Sequence, residues 1–72
     1  MQINIKWALK EVRNDGENYY LSKPYGSTNR RFEVLSFDHE DVLFLQTREI
    51  ARNYRKSIEG KFVPRKVSIF IQ

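Results

Sequence analysis

The residues with the widest chemical repertoire stand together at positions 38–41, where an aspartate, a histidine, a glutamate and an aspartate follow one another. Their oxygens and nitrogens suit a divalent cation, but four consecutive residues rarely converge on one ion, and the spacing of a calcium loop is absent. His39 is the only histidine and the chain has no cysteine, which excludes a two-histidine zinc site and a thiol nucleophile. We therefore expect no metal, no cofactor and no catalytic residue, and interpret positions 38–41 as a solvated acidic turn.

The other motifs that enzymes use are also incomplete. Ser36, Asp38 and His39 supply the residue types of a hydrolase triad, but no nucleophile elbow surrounds Ser36. Residues 26–28, Gly-Ser-Thr, lack the upstream glycine and the Gly-Lys pair of a P-loop. The sequence therefore favours a binding protein over an enzyme.

Positive charge is concentrated in residues 47–72, which hold seven Lys or Arg residues and two acids, Glu49 and Glu59. On a helix, where successive residues are about 100° apart, the apolar side chains of this segment gather on one side. They are Ile50, Ala51, Tyr54 and Ile58. The opposite side forms a basic ridge of Arg48, Arg52, Arg55 and Lys56. We predict that this basic ridge contacts an anionic partner; the alternative interpretation is a solvated helix face.

A second cationic group lies in and after a predicted exposed loop, residues 22–29, which is rich in turn formers such as Pro24 and Gly26. The group consists of Lys23, Tyr25, Arg30 and Arg31. Cations mixed with an aromatic ring are used against single-stranded nucleic acid. The alternative interpretation is a mobile polar loop whose charges serve only solubility.

The elements that must position these side chains begin with a strand. Residues 3–9 alternate apolar and polar side chains, which predicts a half-buried strand with Val12 as its furthest extent. Asp15 and Gly16 then predict a hairpin turn that returns the chain through residues 19–21.

Three further strands and one helix are predicted in the rest of the chain. The strands cover residues 32–37, 42–46 and 67–71, the last of them entered at Pro64. The helix is expected over about residues 47–59. We predict Thr47 as its N-cap and a positive φ at Gly60 beyond its end.

These elements predict one domain, residues 1–72, of the α+β class. It would hold a small, largely antiparallel sheet of four to five strands and one amphipathic helix before the last strand. The strands carry apolar residues on both faces, more than one helix can cover. Either the sheet curls into a barrel-like core or another chain closes the second face. We predict an association patch of Phe70 with Leu35 or Leu43, which would make a homodimer one of the outcomes.

Net charge and hydropathy bound the partners and the location of the protein. The formal net charge is +4, yet residues 32–46 hold four acids and no Lys or Arg, so the molecule should be bipolar. No apolar run approaches the roughly 20 residues of a membrane-spanning helix, and the N-terminus lacks the apolar core of a signal peptide. We therefore expect a cytoplasmic protein with no membrane partner.

Residues 43–52, Leu-Phe-Leu-Gln-Thr-Arg-Glu-Ile-Ala-Arg, resemble the strand, threonine cap and Glu-x-Ala helix start of many small accessory proteins encoded by phages and prophages. The resemblance implies a short, non-enzymatic protein of the host cytoplasm that binds and inhibits or redirects host machinery, such as a polymerase or a defence system.

Two functions therefore remain, and a third rests only on self-association. The first is a binding protein whose basic ridge occupies an acidic surface of a host protein. The second is a nucleic-acid-binding module of low sequence specificity, using the basic ridge and the loop, and the third is a structural component of a particle. The acidic residues 33–41 would repel a phosphate backbone, which favours the protein target.

Overall fold

The structure is a computed structural model that describes residues 2–26, 28–34 and 41–71. Its elements, in chain order, are the strands β1 (Gln2–Glu11), β2 (Tyr19–Leu21) and β3 (Arg31–Glu33), the helix α1 (Arg48–Arg55) and the strand β4 (Phe62–Ile71). The four strands form one sheet in the order β3-β2-β1-β4, and every pairing is antiparallel. The predicted α+β architecture, with one helix before the last strand, is confirmed.

The β1–β4 ladder is the longest pairing in the fold. It runs without a break from Gln2 opposite Ile71 to Glu11 opposite Phe62. Partners in an antiparallel pair point to the same face of the sheet, and successive residues point to opposite faces. Leu9 and Phe62 therefore share one face, and the residues between them in the ladder alternate accordingly.

Pro64 lies inside β4, so the prediction that the last strand begins at Val67 was wrong. The backbone N–H of Val12 donates to the carbonyl of Lys61 at 2.9 Å, which continues the ladder beyond Glu11. Alternate residues of an antiparallel strand turn their N–H and C=O groups to opposite edges. Odd-numbered residues of β4 thus turn their backbone N–H and C=O groups toward β1. Even-numbered residues, Pro64 included, turn theirs toward the outer edge of the sheet, where a missing N–H costs no ladder hydrogen bond.

Residues 42–45 cross between strands and do not form the predicted strand over 42–46. Leu45 exchanges two backbone hydrogen bonds of 2.8 Å with Trp7 in β1. Val42 instead forms an isolated bridge with Ser22, which follows β2. Because its two ends contact different parts of the sheet, the segment makes bridges in place of a ladder.

The side chains of this crossing segment alternate between the two faces of the sheet, as predicted. The segment therefore contributes to the hydrophobic core on each face. On the helix side, the buried residues are Leu9, Leu21, Ala51 and Phe62, with Trp7, Leu43, Leu45, Tyr54 and Ile58 packed against them. On the opposite face, the buried residues are Ala8, Tyr20, Val34, Val42 and Val67, with Phe32 and Phe44 packed against them. Over this stretch the chain itself covers the second face of the sheet.

The helix begins as predicted and ends early. The Thr47 hydroxyl oxygen accepts a hydrogen bond from the Ile50 N–H at 3.1 Å, which confirms the N-cap. The helix ends at Arg55, and the N–H groups of Ser57 and Ile58 bond three residues back in successive turns. Gly60 has φ of +105°, as predicted, but it serves the turn into β4 and does not cap the helix.

Gly60→Ala tests that turn. A Cβ there would lie 2.5 Å from Nη2 of Arg31 and 3.3 Å from the Phe62 ring, in a backbone conformation that L side chains rarely adopt. We expect the free energy of unfolding, measured by chemical denaturation, to fall by roughly 1–3 kcal/mol. Gly16→Ala is the matched control, because Gly16 has φ of +75° and open space around it. Equal losses in the two variants would contradict the close approach at Gly60.

Candidate interaction surface

The side of the helix that packs on the sheet is not quite the side that the apolar residues predict. Ala51 is fully buried and Tyr54 half-buried, whereas Ile50 is 45% exposed, so its predicted place on the buried side was wrong. Arg55 is half-buried, and its Nη1 donates to the Phe62 carbonyl at 3.2 Å. That carbonyl faces the outer edge of β4, so the bond satisfies an acceptor that the ladder leaves open. Arg55 is thereby partly withdrawn from the basic ridge.

The rest of the basic ridge follows one side of the helix as far as its C-cap, Lys56. Arg48, Arg52 and Lys56 are spaced four residues apart, about 6 Å per step along a helix, and all three are exposed. Within the described part of the chain none of them forms an ion pair. We call these three residues the helix stripe. It presents to solvent two cations from the helix and a third, Lys56, from the C-cap.

The predicted loop after β2 is a hairpin with regular geometry. Ser22 donates its N–H to the Arg30 carbonyl at 2.7 Å, and its hydroxyl oxygen accepts from the Arg30 N–H at 2.8 Å. At the tip, Tyr25 and Thr28 exchange backbone hydrogen bonds of 2.7 and 3.3 Å, and Gly26 has a φ of +66°. Residues 23–26 and 28 are exposed, as predicted, whereas Ser22 at the start of the predicted loop is buried and Asn29 is half-buried.

Asn29 ties this hairpin to the helix. Its side-chain amide donates to the Ser22 carbonyl at 2.8 Å and lies 3.1 Å from the Tyr54 hydroxyl, which in turn donates to Asn29 Oδ1 at 3.3 Å. The half-buried Tyr54 needs such a partner for its hydroxyl. The sequence contained that signal, a tyrosine on the apolar side of the helix, but not the identity of a partner 25 residues away.

The hairpin tip carries three of the predicted site residues. Tyr25 is 50% exposed, and the Arg30 guanidinium lies 5.3 Å from its ring centroid, within cation–π range. Lys23, two residues before Tyr25, is exposed as well. The structure thus brings Tyr25 and Arg30 into contact and leaves Lys23 exposed in the same hairpin.

Arg31, the fourth predicted residue of this group, is exposed, but its guanidinium contacts other residues of the same chain. Its Nε lies 2.5 Å from the Glu11 carboxylate, its Nη2 donates to the Glu59 carbonyl at 2.6 Å, and its guanidinium lies 5.2 Å from the Phe62 ring centroid. These contacts join β3, the end of β1 and the turn before β4. We assign Arg31 a structural role.

A third group of cations lies on the sheet face opposite the helix; the sequence shows that Lys61 and Arg65 follow the basic ridge, but not that they share a face with Lys10. The ladder places Ala8 opposite Arg65 and Lys10 opposite Val63, and Val12 bonds to Lys61. Arg65, Lys10 and Lys61 therefore alternate across the two strands beside Val12 and Val63, which are 53% and 42% exposed. We call these three residues the sheet-face cations. They come from segments more than 50 residues apart, so only the strand register reveals them.

Carboxylates neutralise little of this positive charge. Of the thirteen Lys and Arg residues, Arg13 and Arg31 are the two that form ion pairs within the described part of the chain. Glu11 serves both of them, and Asp15 pairs with Arg13. Among the described residues, no carboxylate pairs with the helix stripe, with Lys23 and Arg30 of the hairpin or with the sheet-face cations.

The grooves beside these cations are open. One of about 410 Å³ lies beyond the helix between Lys56, Lys61 and Val63, and one of about 370 Å³ lies between Tyr25, Arg30 and Asp41. Among the described residues, no group of three or more acidic or histidine side chains is placed to hold a metal ion.

Two sets of predicted residues fall partly outside what the structure describes. Leu43 of the association patch is half-buried against the helix-side core. Leu35, the Phe70 side chain and residues 38–40 of the acidic turn lie outside the described residues. The association patch stays a prediction.

The chain matches no protein-family model, no curated protein and no solved structure. The resemblance of residues 43–52 to phage-encoded accessory proteins therefore also stays a prediction. Among the described residues, no helix is long and apolar enough to cross a membrane.

Acidic residues gather at the turn between β1 and β2. The Arg13 guanidinium, 2.5 Å from the Asp15 carboxylate, lowers the pKa of Asp15 to about 2, and the Glu17 N–H adds a bond to the same carboxylate. The neighbouring Glu33 carboxyl raises the pKa of Glu17, through a shared hydrogen bond and then through charge repulsion. The two turn carboxyls therefore affect stability with opposite pH dependence.

Glu17→Gln should stabilise the fold at neutral pH. A raised carboxyl pKa means stability that is present below the unfolded pKa, 4.5, and lost as the pH rises through the folded value. The advantage of the variant in free energy of unfolding should disappear below pH 4.5.

Asp15→Asn is the control of opposite sign. The lowered pKa of Asp15 supplies stability above pH 3.8, which is lost as the pH falls toward about 2. This variant should be less stable than the parent at neutral pH, and the two should converge in acid. Denaturant unfolding of both variants and the parent across a pH series tests the two predictions. If the free energies of unfolding of Glu17→Gln and the parent changed in parallel with pH, the Glu17–Glu33 interaction would be contradicted.

Proposed function

We propose that this chain is a small, non-enzymatic binding protein that occupies an acidic surface of another protein through its helix stripe. The observation that carries the proposal is the line formed by Arg48, Arg52 and Lys56, three exposed cations without a carboxylate partner among the described residues. Complementary charge accelerates encounter and sets the register of an interface. Arginine is also enriched in the residues that dominate binding energy.

The helix stripe is held in place before any partner arrives. Thr47 caps the first turn, Arg55 bonds the edge of β4, and Tyr54 bonds Asn29 of the hairpin. A side chain presented by a fixed element loses less conformational freedom on binding than one on a mobile loop. Preorganisation therefore supports a binding role over a merely solvated helix face.

An exposed apolar residue on the same helix favours a protein over a polyphosphate. Ile50 is 45% exposed, on the flank of the helix away from the helix stripe. Protein interfaces combine apolar contact with arginine, whereas nonspecific binding to nucleic acid depends almost entirely on phosphate contacts. Because Ile50 lies roughly 160° around the helix from the middle of the helix stripe, it would contact a protein that wraps around the helix.

The resemblance of residues 43–52 extends the proposal to a class of partner. We propose a protein encoded by a phage or other mobile element, acting in the host cytoplasm on host machinery such as a polymerase or a defence system. The support is the resemblance itself, together with the capped helix start that the structure has at Thr47.

The hairpin tip favours a second candidate, a nucleic-acid-binding module of low sequence specificity. Arg30 lies over one face of the half-exposed Tyr25 ring, a combination that stacks bases and contacts phosphates. Asp41 lines the adjoining groove and would repel phosphate. We rank this candidate second for that reason.

Capture from a nuclease-treated bacterial lysate tests the proposal. The parent protein should retain a discrete protein partner after all nucleic acid has been digested. Replacing Arg48, Arg52 and Lys56 together by Gln should weaken that retention on the order of tenfold or more, because several charge pairs are lost at once.

The matched control replaces the sheet-face cations Lys10, Lys61 and Arg65 by Gln. It removes the same charge from the other face of the sheet and should retain the partner. Equal losses in both variants would show a response to net charge alone, and loss of the partner on nuclease treatment would favour nucleic acid. Either result would overturn the proposed protein target.

A further inference from the structure

The outer edge of β4 is the longest unpaired backbone edge in the described part of the chain. β4 is the last strand of the sheet and pairs only with β1. Its even-numbered residues turn their backbone groups outward, by the same alternation that places Val12 and Lys61 in a bonded pair. An unpaired strand edge is a template for another strand.

Two of the five outward-facing residues of this edge cannot pair fully. The Phe62 carbonyl accepts from Arg55, and Pro64 has no N–H to offer. The outward groups of the next three even-numbered residues, Lys66, Ser68 and Phe70, have no hydrogen-bond partner among the described residues. The open stretch is therefore residues 65–71, from just after Pro64 to the end of β4.

The open stretch is symmetric about Ser68. We propose that it pairs antiparallel with the same stretch of a second copy, with the two-fold axis at Ser68. Position 66 then lies opposite position 70 of the second copy, and each outward residue exchanges its backbone hydrogen bonds with its partner. The two sheets become one continuous sheet through β4.

Charge excludes the register whose axis lies at Lys66. With the axis at Ser68, Lys66 lies opposite an uncharged position and meets no like charge. An axis at Lys66 would set two lysines directly opposite each other, which is destabilising, and would bring Pro64 opposite Ser68. A self-complementary patch of this kind is what a two-fold dimer requires.

The β1–β4 ladder near residues 2–6 gives a reason for β4 to pair with a second copy. Leu45 is the last described partner on the other side of β1, at Trp7, so residues 2–6 pair only with β4 among the described residues. A two-stranded ribbon is marginally stable by itself in water. Pairing through β4 would place this ribbon within a four-stranded region.

Amide hydrogen exchange of the parent protein, read by NMR at rising protein concentration, tests the proposal without a variant. The amides of Lys66, Ser68 and Phe70 should exchange fast when dilute and become protected as concentration rises, in step with a mass that increases from 8.7 kDa toward twice that value. The amides of Arg65, Val67 and Ile69, which face β1, should be protected throughout. A mass that stays at 8.7 kDa up to millimolar protein, or protection without this alternation, would overturn it.

A charge exchange tests the register. Phe70→Lys would set two positive charges opposite each other twice in the dimer and should abolish the rise in mass. Adding Lys66→Glu to that variant should restore it, since each Glu then lies opposite a Lys. Circular dichroism confirms that each variant is folded, and a folded double variant that stays monomeric would contradict the Ser68 axis.

Discussion

The β1–β4 ladder is the interaction on which the rest of the structure depends. It joins residues near the two ends of the chain, so it closes the longest loop in the fold and has the highest entropic cost. Its register places core residues on both faces of the sheet: Leu9 and Phe62 lie under the helix, and Ala8 and Val67 lie on the other side. The helix, the crossing segment and the cations all take their positions from its register.

The same register decides where charge is neutralised. Glu11 ends β1 beside Phe62, and from there it reaches both Arg13 of the following turn and Arg31 of β3. These contacts tie the turn, β3 and the chain before β4 together at one end of the sheet. The cations elsewhere form no carboxylate pairs within the described chain, which separates a structural set of arginines from a set open to partners.

Local signals predicted the elements that depend on neighbours in sequence. The alternation in β1, the Thr47 cap and the positive φ of Gly60 all follow from a few adjacent residues. The α+β class followed from their order along the chain. The crossing segment was mistaken for a strand because its side chains do alternate; its backbone partners, Trp7 and Ser22, lie in two different parts of the chain.

The candidate surface was predictable in type but less so in membership. Exposure of Arg48, Arg52 and Lys56 followed from helical spacing, whereas the shift of Arg55 toward β4 depends on a carbonyl that only the ladder turns outward. Arg31 was grouped with Arg30 by adjacency, yet neighbouring strand positions point to opposite faces. The sheet-face cations required the pairing of residues 10 and 63, which no local pattern contains.

The central claim is that the helix stripe recognises an acidic protein surface and not a phosphate backbone. The most direct measurement is fluorescence anisotropy of a labelled single-stranded oligonucleotide against the folded protein over a salt series. If the helix stripe recognises a protein surface, we expect no saturable binding near physiological salt. Tight binding whose log affinity falls linearly with log salt, and which is lost when Arg48, Arg52 and Lys56 are neutralised, would contradict it.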